Sequence, residues 1–181
     1  MSSSPCPPLS DADWPEAIAS LRDGFAGALN VYRVMAHNPE LLAGWAPLRQ
    51  HVVKDSTLGP ERSELAILRT AHRLGSPYEW SHHVSRARAL GFSDARIAAM
   101  RGIPEGEDGL IARAVDQLID KRRLDAGLEA ELADTIGRKA VIDLMATVGF
   151  YSVLGYLVMT YDTPLDDNVA RELEEKPFED G

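Results

Sequence analysis

Residues 60–90 read PERSELAILRTAHRLGSPYEWSHHVSRARAL, a stretch that predicts two helices meeting at a tight turn. Pro60 suits the first position of a helix, where its missing N–H is not needed. Gly75 suits the end of that helix. Ser76-Pro77-Tyr78-Glu79 then has the form of a second start: a Ser cap, Pro at the first helical position and Glu three residues after the cap. A helix turns by about 100° per residue. On the first helix Leu65, Ile67, Leu68, Ala71 and Leu74 therefore share a broad apolar stripe, with Arg62, Arg69 and Arg73 opposite. On the second, Trp80, Val84, Ala87 and Leu90 form the stripe, and Ser81, Ser85 and Arg88 form the polar back.

Three residues break these patterns. Glu64 falls in the middle of the first apolar stripe, where a carboxylate is costly unless paired or protonated. His83 falls inside the second stripe. Glu79 borders it, one turn before His83 and on nearly the same side. A histidine beside a carboxylate can serve as a tuned acid–base pair. Glu79 also has a purely local reading, in which its side chain only completes the cap at Ser76. His82 lies outside the stripe, at its border or on the surface. Arg86, one turn past His83, could hold a substrate carboxylate, and Tyr78 could donate a hydrogen bond. Trp80 reads as core. His37, His51 and His72 show no ligand spacing.

Working outward, helix signals recur and strand signals are nearly absent. Residues about 13–36 predict one or two helices starting at Ser10 or Asp13. Asn38-Pro39 opens another to about Val53, and Ser56–Gly59 is a turn. Ser93 caps a short helix after Gly91, and residues 101–107 form a loop. Further helices are expected at about 108–122, 127–136 and 138–161. Thr163-Pro164 begins a last turn, and the acidic end RELEEKPFEDG is expected to fray. No repeat or strong linker interrupts the chain, so 1–181 reads as one all-α domain, a helical bundle with flexible tails at 1–10 and 172–181.

The 181 residues carry a formal net charge of -9, which gives no general attraction for nucleic acid or an anionic membrane. Small molecules or protein partners are the expected ligands. The lone Cys6 allows neither an internal disulfide nor a zinc cluster, which fits a reducing cytoplasm. The start MSSSPCPPLS lacks the basic and apolar regions of a secretory signal. Val141–Thr160 is long enough to span a membrane, but Asp143, Thr147 and Ser152 inside it favour a buried core helix or a subunit-interface helix.

The segment ERSELAILRTAHRLGSPYEWSHHVSRARALGFSDARIAAM resembles the carboxymuconolactone decarboxylase family, whose thiol branch is the alkylhydroperoxidase D proteins. The likeness lies in the helix-loop-helix layout, the Tyr-Glu-Trp-x-x-His run, the small residues after it and the Gly91-x-Ser93 start of the next helix. With the lead-in NPELLAGWAPLRQHVV, the close match covers roughly 38–102, and the later GFYSVLGYLVM is compatible with it. The thiol branch has a Cys-x-x-Cys pair, a histidine four residues after the second cysteine and a glutamate twelve before the first. Those spacings put Ser76 and Glu79 at the cysteine positions, His83 at the histidine and Glu64 at the glutamate. Ser76 and Glu79 cannot replace a thiolate and its resolving thiol, so thiol peroxidase activity is not expected.

The resemblance implies an alkylhydroperoxidase D-like fold, a homo-oligomer (trimer or hexamer), and a lyase or isomerase without cofactor, acting on a small carboxylated lactone or related carbonyl compound. Its candidate catalytic residues are His83, Glu64 and Glu79, with Arg86, His82 and Tyr78 as candidate substrate contacts. Two other readings stay open. One is a relative that binds a ligand without chemistry. The other is a metal-dependent protein, because Glu79-x-x-His82 is half of the Glu-x-x-His ligand set of di-iron bundles, although no second such pair exists here.

Overall fold

The computed structural model describes residues 4–178; residues 1–3 and 179–181 of the two expected tails lie outside the described residues. Eleven α-helices and no strand are found among the described residues. They are α1 (Ala19–Arg22), α2 (Phe25–Ala28), α3 (Asn30–Met35), α4 (Pro39–Gln50), α5 (Pro60–Leu74), α6 (Pro77–Ala89), α7 (Asp94–Ala99), α8 (Gly106–Lys121), α9 (Ala126–Ile136), α10 (Arg138–Thr160) and α11 (Asp167–Glu175). A single 3-10 turn (Glu16–Ile18) precedes α1, and a wide π-type turn (His51–Asp55) ends α4.

Each predicted helix from Pro39 onward is present, with ends set by the expected residues. The Asn38 side chain accepts from Leu41 N–H, Ser76 from Glu79 N–H and Ser93 from Arg96 N–H. Gly75 closes α5 in the left-handed conformation at φ 66°, which a glycine adopts without steric penalty. The N-terminal region differs from the one or two helices expected over 13–36. Leu29 is extended, and the chain folds into three short helices instead. Gly27 sits so close to the carbonyl of Arg22 that a Cβ there would lie 1.9 Å from its oxygen.

Helix α5 is the axis of the molecule. Every residue from Glu64 to Ala71 is buried, because α6, α8 and α10 surround it. Arg69, expected opposite the apolar stripe, is consequently buried too. It donates to Asp116 and to the carbonyls of Met100, Arg101 and Gly102, so its charge is paired and its donors are used. Two apolar clusters flank this axis. One joins Leu65, Leu68, Val84, Ile111 and Leu144. The other joins Tyr32, Leu42, Ile67, Tyr78, Phe150 and Leu154. Helix α10 serves both, the first with its N-terminal half and the second with its C-terminal half.

Among the described helices α10 is the one apolar and long enough to cross a membrane, and about half of that stretch is buried inside the protein. Its Asp143 accepts from Thr57 N–H and Oγ1–H at 2.7 Å and lies 2.8 Å from His51 Nε2. That carboxylate holds the turn between α4 and α5. The described parts of the two ends carry contacts. Arg33 donates to the Leu9 carbonyl, and Arg88 donates to the carbonyls of Lys176 and Pro177. Residues expected to fray form most of α11, which packs on α6 with Val169 buried.

Candidate functional site

Glu64 on α5, His83 and Glu79 on α6 and Tyr151 on α10 meet at the seam between the two apolar clusters. His83 Nδ1 lies 2.5 Å from Glu64 Oε2, and its Nε2 lies 3.7 Å from Glu79 Oε2. The three candidates are therefore brought together in one line, Glu64–His83–Glu79. They are 9%, 2% and 4% exposed, respectively. The Tyr151 ring stands edge-on to the His83 ring at 4.9 Å.

Burial is the main influence on this line. It pushes the Glu79 carboxyl up to about 8, with Arg86 opposing and the carboxylates of Asp166 and Glu64 reinforcing. Burial also lowers the pKa of His83, against the pull of Glu64. At neutral pH the consistent arrangement is a protonated Glu79 and a neutral His83 whose Nδ1–H donates to Glu64. The Nε2 lone pair then faces the Glu79 acid.

The cap does not consume Glu79. Its N–H donates to Ser76 Oγ at 3.4 Å, but Ser76 N–H donates to the Ala71 carbonyl. The Glu79 carboxyl is free to turn inward, and its Oε1 is buried without a partner.

Two cavities adjoin the line. An open groove of about 460 Å³ is lined by Val52, Val53, Lys54, Glu64, Ile67 and Tyr151, among others. Behind it lies a void of about 20 Å³ lined by Tyr32, Tyr78, Glu79, His82 and His83, room for roughly one water. Arg49, Val53, Arg86 and Tyr151 border both. Glu64 is thus the acidic member that reaches the groove, while His83 and Glu79 stand behind it. The π-type turn after α4 brings Val52, Val53 and Lys54 to the groove wall.

Arg86 is half-buried and has no hydrogen bond or ion pair among the described residues. Arg49 lies 4.1 Å over the Phe25 ring with its Nε unpartnered. Sequence reading missed Arg49 and Tyr151, because neither departs from an ordinary helix pattern. Tyr78 and His82 lie at the inner void rather than on the groove. Tyr78 donates to Asp166 Oδ2 at 2.5 Å, and His82 Nε2 lies 2.9 Å from the same oxygen, off the line a hydrogen bond needs. His82 is 5% exposed, a correction to its expected border or surface place; the segment entering α11 covers it. Among the described residues no group of three His, Cys, Asp or Glu side chains is arranged to hold a metal ion.

The fold and this site define a helical protein with a buried Glu–His–Glu line beside an arginine-bordered groove. Residues 39–117, somewhat under half of the chain, match the Carboxymuconolactone decarboxylase family. No curated protein sequence matches it significantly. Among solved structures it is similar to the debrominase Bmp8. A cysteine-to-alanine variant of Bmp8 in complex with 2,3,4-tribromopyrrole aligns with a TM-score of 0.72 and 18% identity, over 96% of this chain and 97% of that one. The apo form of Bmp8 aligns with a TM-score of 0.71 and 18% identity, over 94% and 97%. At that identity the likeness is one of fold.

Proposed function

We propose that this chain is a cofactor-free lyase or isomerase that uses the Glu64–His83–Glu79 relay on a small carboxylated lactone or related carbonyl compound. The observation that carries the reading is the Glu64–His83–Glu79 line itself, ending in Glu64 in the lining of a groove that Arg49 and Arg86 border. The substrate carboxylate would meet Arg49 or Arg86, whose guanidinium groups suit it as charge-assisted donors. In a decarboxylation the bond between the carboxylate carbon and its neighbour breaks. Carbon dioxide leaves, and the electron pair moves into the conjugated carbonyl as an enolate. A proton then adds to that system. His83 acts as shuttle, Glu79 as the proton reserve, and Glu64 as the group that passes the proton into the groove. In this scheme Glu64 is the group that faces the substrate.

A second reading, a ligand-binding relative without chemistry, draws on the near-complete burial of His83 and Glu79. One experiment separates the two. The purified protein is given a panel of small carboxylated lactones, with ligand binding and carbon dioxide release measured for the wild type, His83→Gln and Glu64→Gln. Turnover lost by about a hundredfold or more in both variants supports the relay. Binding without turnover leaves the second reading, and full activity in His83→Gln ends the first.

The same proposal includes a homo-oligomer working in the cytoplasm, in keeping with the lone Cys6. Ile142, Met145, Val153 and Tyr156 form an exposed apolar stripe on α10, with Ile142 62% and Tyr156 56% exposed. A trimer or hexamer that buries this stripe fits the apolar excess on one face. Debromination is not carried over from Bmp8.

A further inference from the structure

The second polar cluster of the interior lies at the far end of the relay, and its centre is a residue distant in sequence from α6. Asp166, buried on the segment that enters α11, gathers three segments. Its Oδ1 accepts from Asn30 N–H at the start of α3 at 2.9 Å. Its Oδ2 meets both Tyr78 Oη–H and His82 Nε2. The Tyr78 and His82 rings lie 4.4 Å apart, and Tyr78 Oη in turn accepts from Val31 N–H at 3.2 Å. Tyr78 and His82 bracket Glu79 in sequence, and all three line the inner void with His83.

We propose that Asp166 is a positioning residue of this site, a single buried carboxylate that fixes Tyr78 and His82 and so orients Glu79 and His83 on the same helix. The role as a positioning residue rests on the relay reading above, but the contacts do not. A carboxylate accepts from Asn30 N–H at one oxygen and from Tyr78 Oη–H at the other, with His82 Nε2 beside the second, whereas an amide would present one acceptor and one donor. The network therefore needs the acid at 166. Asp166 also acts through space, since its negative charge reinforces the burial that keeps Glu79 protonated.

The groups around Glu79 can be named from every packed element. They are Glu64 from α5, Tyr78, His82, His83 and Arg86 from α6, Tyr32 from α3, Arg49 from α4, Tyr151 from α10 and Asp166 itself. Asp166 faces Asn30, Tyr78 and His82, with Asp167 and Arg171 of α11 at its outer side. Of the acids near Glu79, Asp166 is the one outside the relay, so its charge can be removed without altering a relay member.

The test is Asp166→Asn in the full chain, with side-chain carboxyls labelled with carbon-13 and Glu79 titrated by NMR. The expected result is a cooperative fold with the Glu79 midpoint lower by on the order of one pH unit, through loss of a like charge. An unchanged midpoint in a folded variant overturns the proposal and reduces Asp166 to an anchor for α11. The same spectra of the wild type give a reading that needs no variant. As Asp166 is protonated, the Tyr78 and His82 ring signals are expected to shift with its midpoint. Rings that do not follow it overturn the proposal equally. Neither measurement uses a substrate, so either can fail while the lyase reading stands, and turnover can fail while these succeed.

Discussion

Replacing Glu79 by Gln is expected to make the protein more resistant to unfolding in mild alkali. Glu79 is 4% exposed and its carboxyl is raised from an ordinary 4.5 to about 8 by burial. A raised carboxyl binds its proton in the folded state at pH values where the unfolded chain has lost it. Below about pH 4.5 both states are protonated and the group has no pH-dependent effect. As pH rises from there to about 8, the folded state holds more protons, and stability falls. Each pH unit across that window is worth about 1.4 kcal/mol, so the whole effect is on the order of 5 kcal/mol. Gln keeps the shape of the protonated acid and cannot ionise. Urea unfolding of wild type and Glu79→Gln should be followed from pH 5 to pH 8.5 at one protein concentration. The other titrating groups largely cancel in the difference, including His83, whose lowered pKa costs stability only as pH falls below about 6.5. The variant's relative stability should climb steadily with pH. A difference that is flat from pH 5 to 8 would falsify the assignment of Glu79 as a buried acid.

Further outcomes follow from other contacts. Asp143→Asn should destabilise the protein by about 2 kcal/mol in urea at pH 7, because it weakens the bonds from Thr57 and His51. Burial raises the Asp143 pKa, but those bonds outweigh it and hold the carboxyl down at about 2. Its contribution is therefore present above about pH 4 and fades as acid approaches 2; equal wild-type and variant stability at pH 7 would sink the clamp. Arg69→Met should cost about 3–5 kcal/mol, since it strips partners from Asp116 and three loop carbonyls; a loss under 1 kcal/mol would contradict its burial. Arg49→Gln and Arg86→Gln should each weaken a bound small carboxylate about tenfold by calorimetry, one charge-assisted bond apiece, and unchanged affinity in both removes them from the groove's chemistry. Ile142→Glu should reduce the assembly size seen by light scattering, and an unaltered mass would place any interface elsewhere.

The parts of this structure that could be read from sequence are those decided within a few residues. Pro60, Gly75, Ser76 and Pro77 fix where α5 and α6 begin and end through local backbone chemistry. The 100° rotation then places Glu64 and His83 inward with no knowledge of neighbours. What stayed hidden depends on distant chain. His82 and Arg69 lie off the apolar stripes and still end up buried, one under residue 166 and the other against α8. A helix wheel describes one packed face, whereas α5 is packed all round. Arg49 has an ordinary surface pattern within α4, and its place at the groove follows from how α4 lies against α3 and its closing π-type turn against α10. The breaks at Leu29 and Gly24 were missed because the apolar periodicity of 13–36 continues across them.

If the resemblance to the thiol branch holds position by position, one scaffold carries two chemistries at the same place. Ser76 and Glu79 stand where the spacing would place two cysteines, at the capped start of α6. Ser76 is buried and keeps the backbone role of that position, accepting Glu79 N–H. A residue that caps well favours the same helix direction and so the same inward aim three residues later. What changes is the group aimed inward. A thiol there would offer a nucleophile whose reactivity depends on losing its proton. Glu79 offers the opposite, an acid that burial prevents from losing its proton until the pH nears 8. His83 and Glu64 are suited to either arrangement, because a neutral imidazole held by a carboxylate can accept or pass on a proton. On the proposed reading, glutamate at residue 79 makes the line one that stores a proton, where a thiol would make it one that generates a nucleophile. That is the chemistry a decarboxylation or isomerisation requires once its electron pair has moved into a carbonyl.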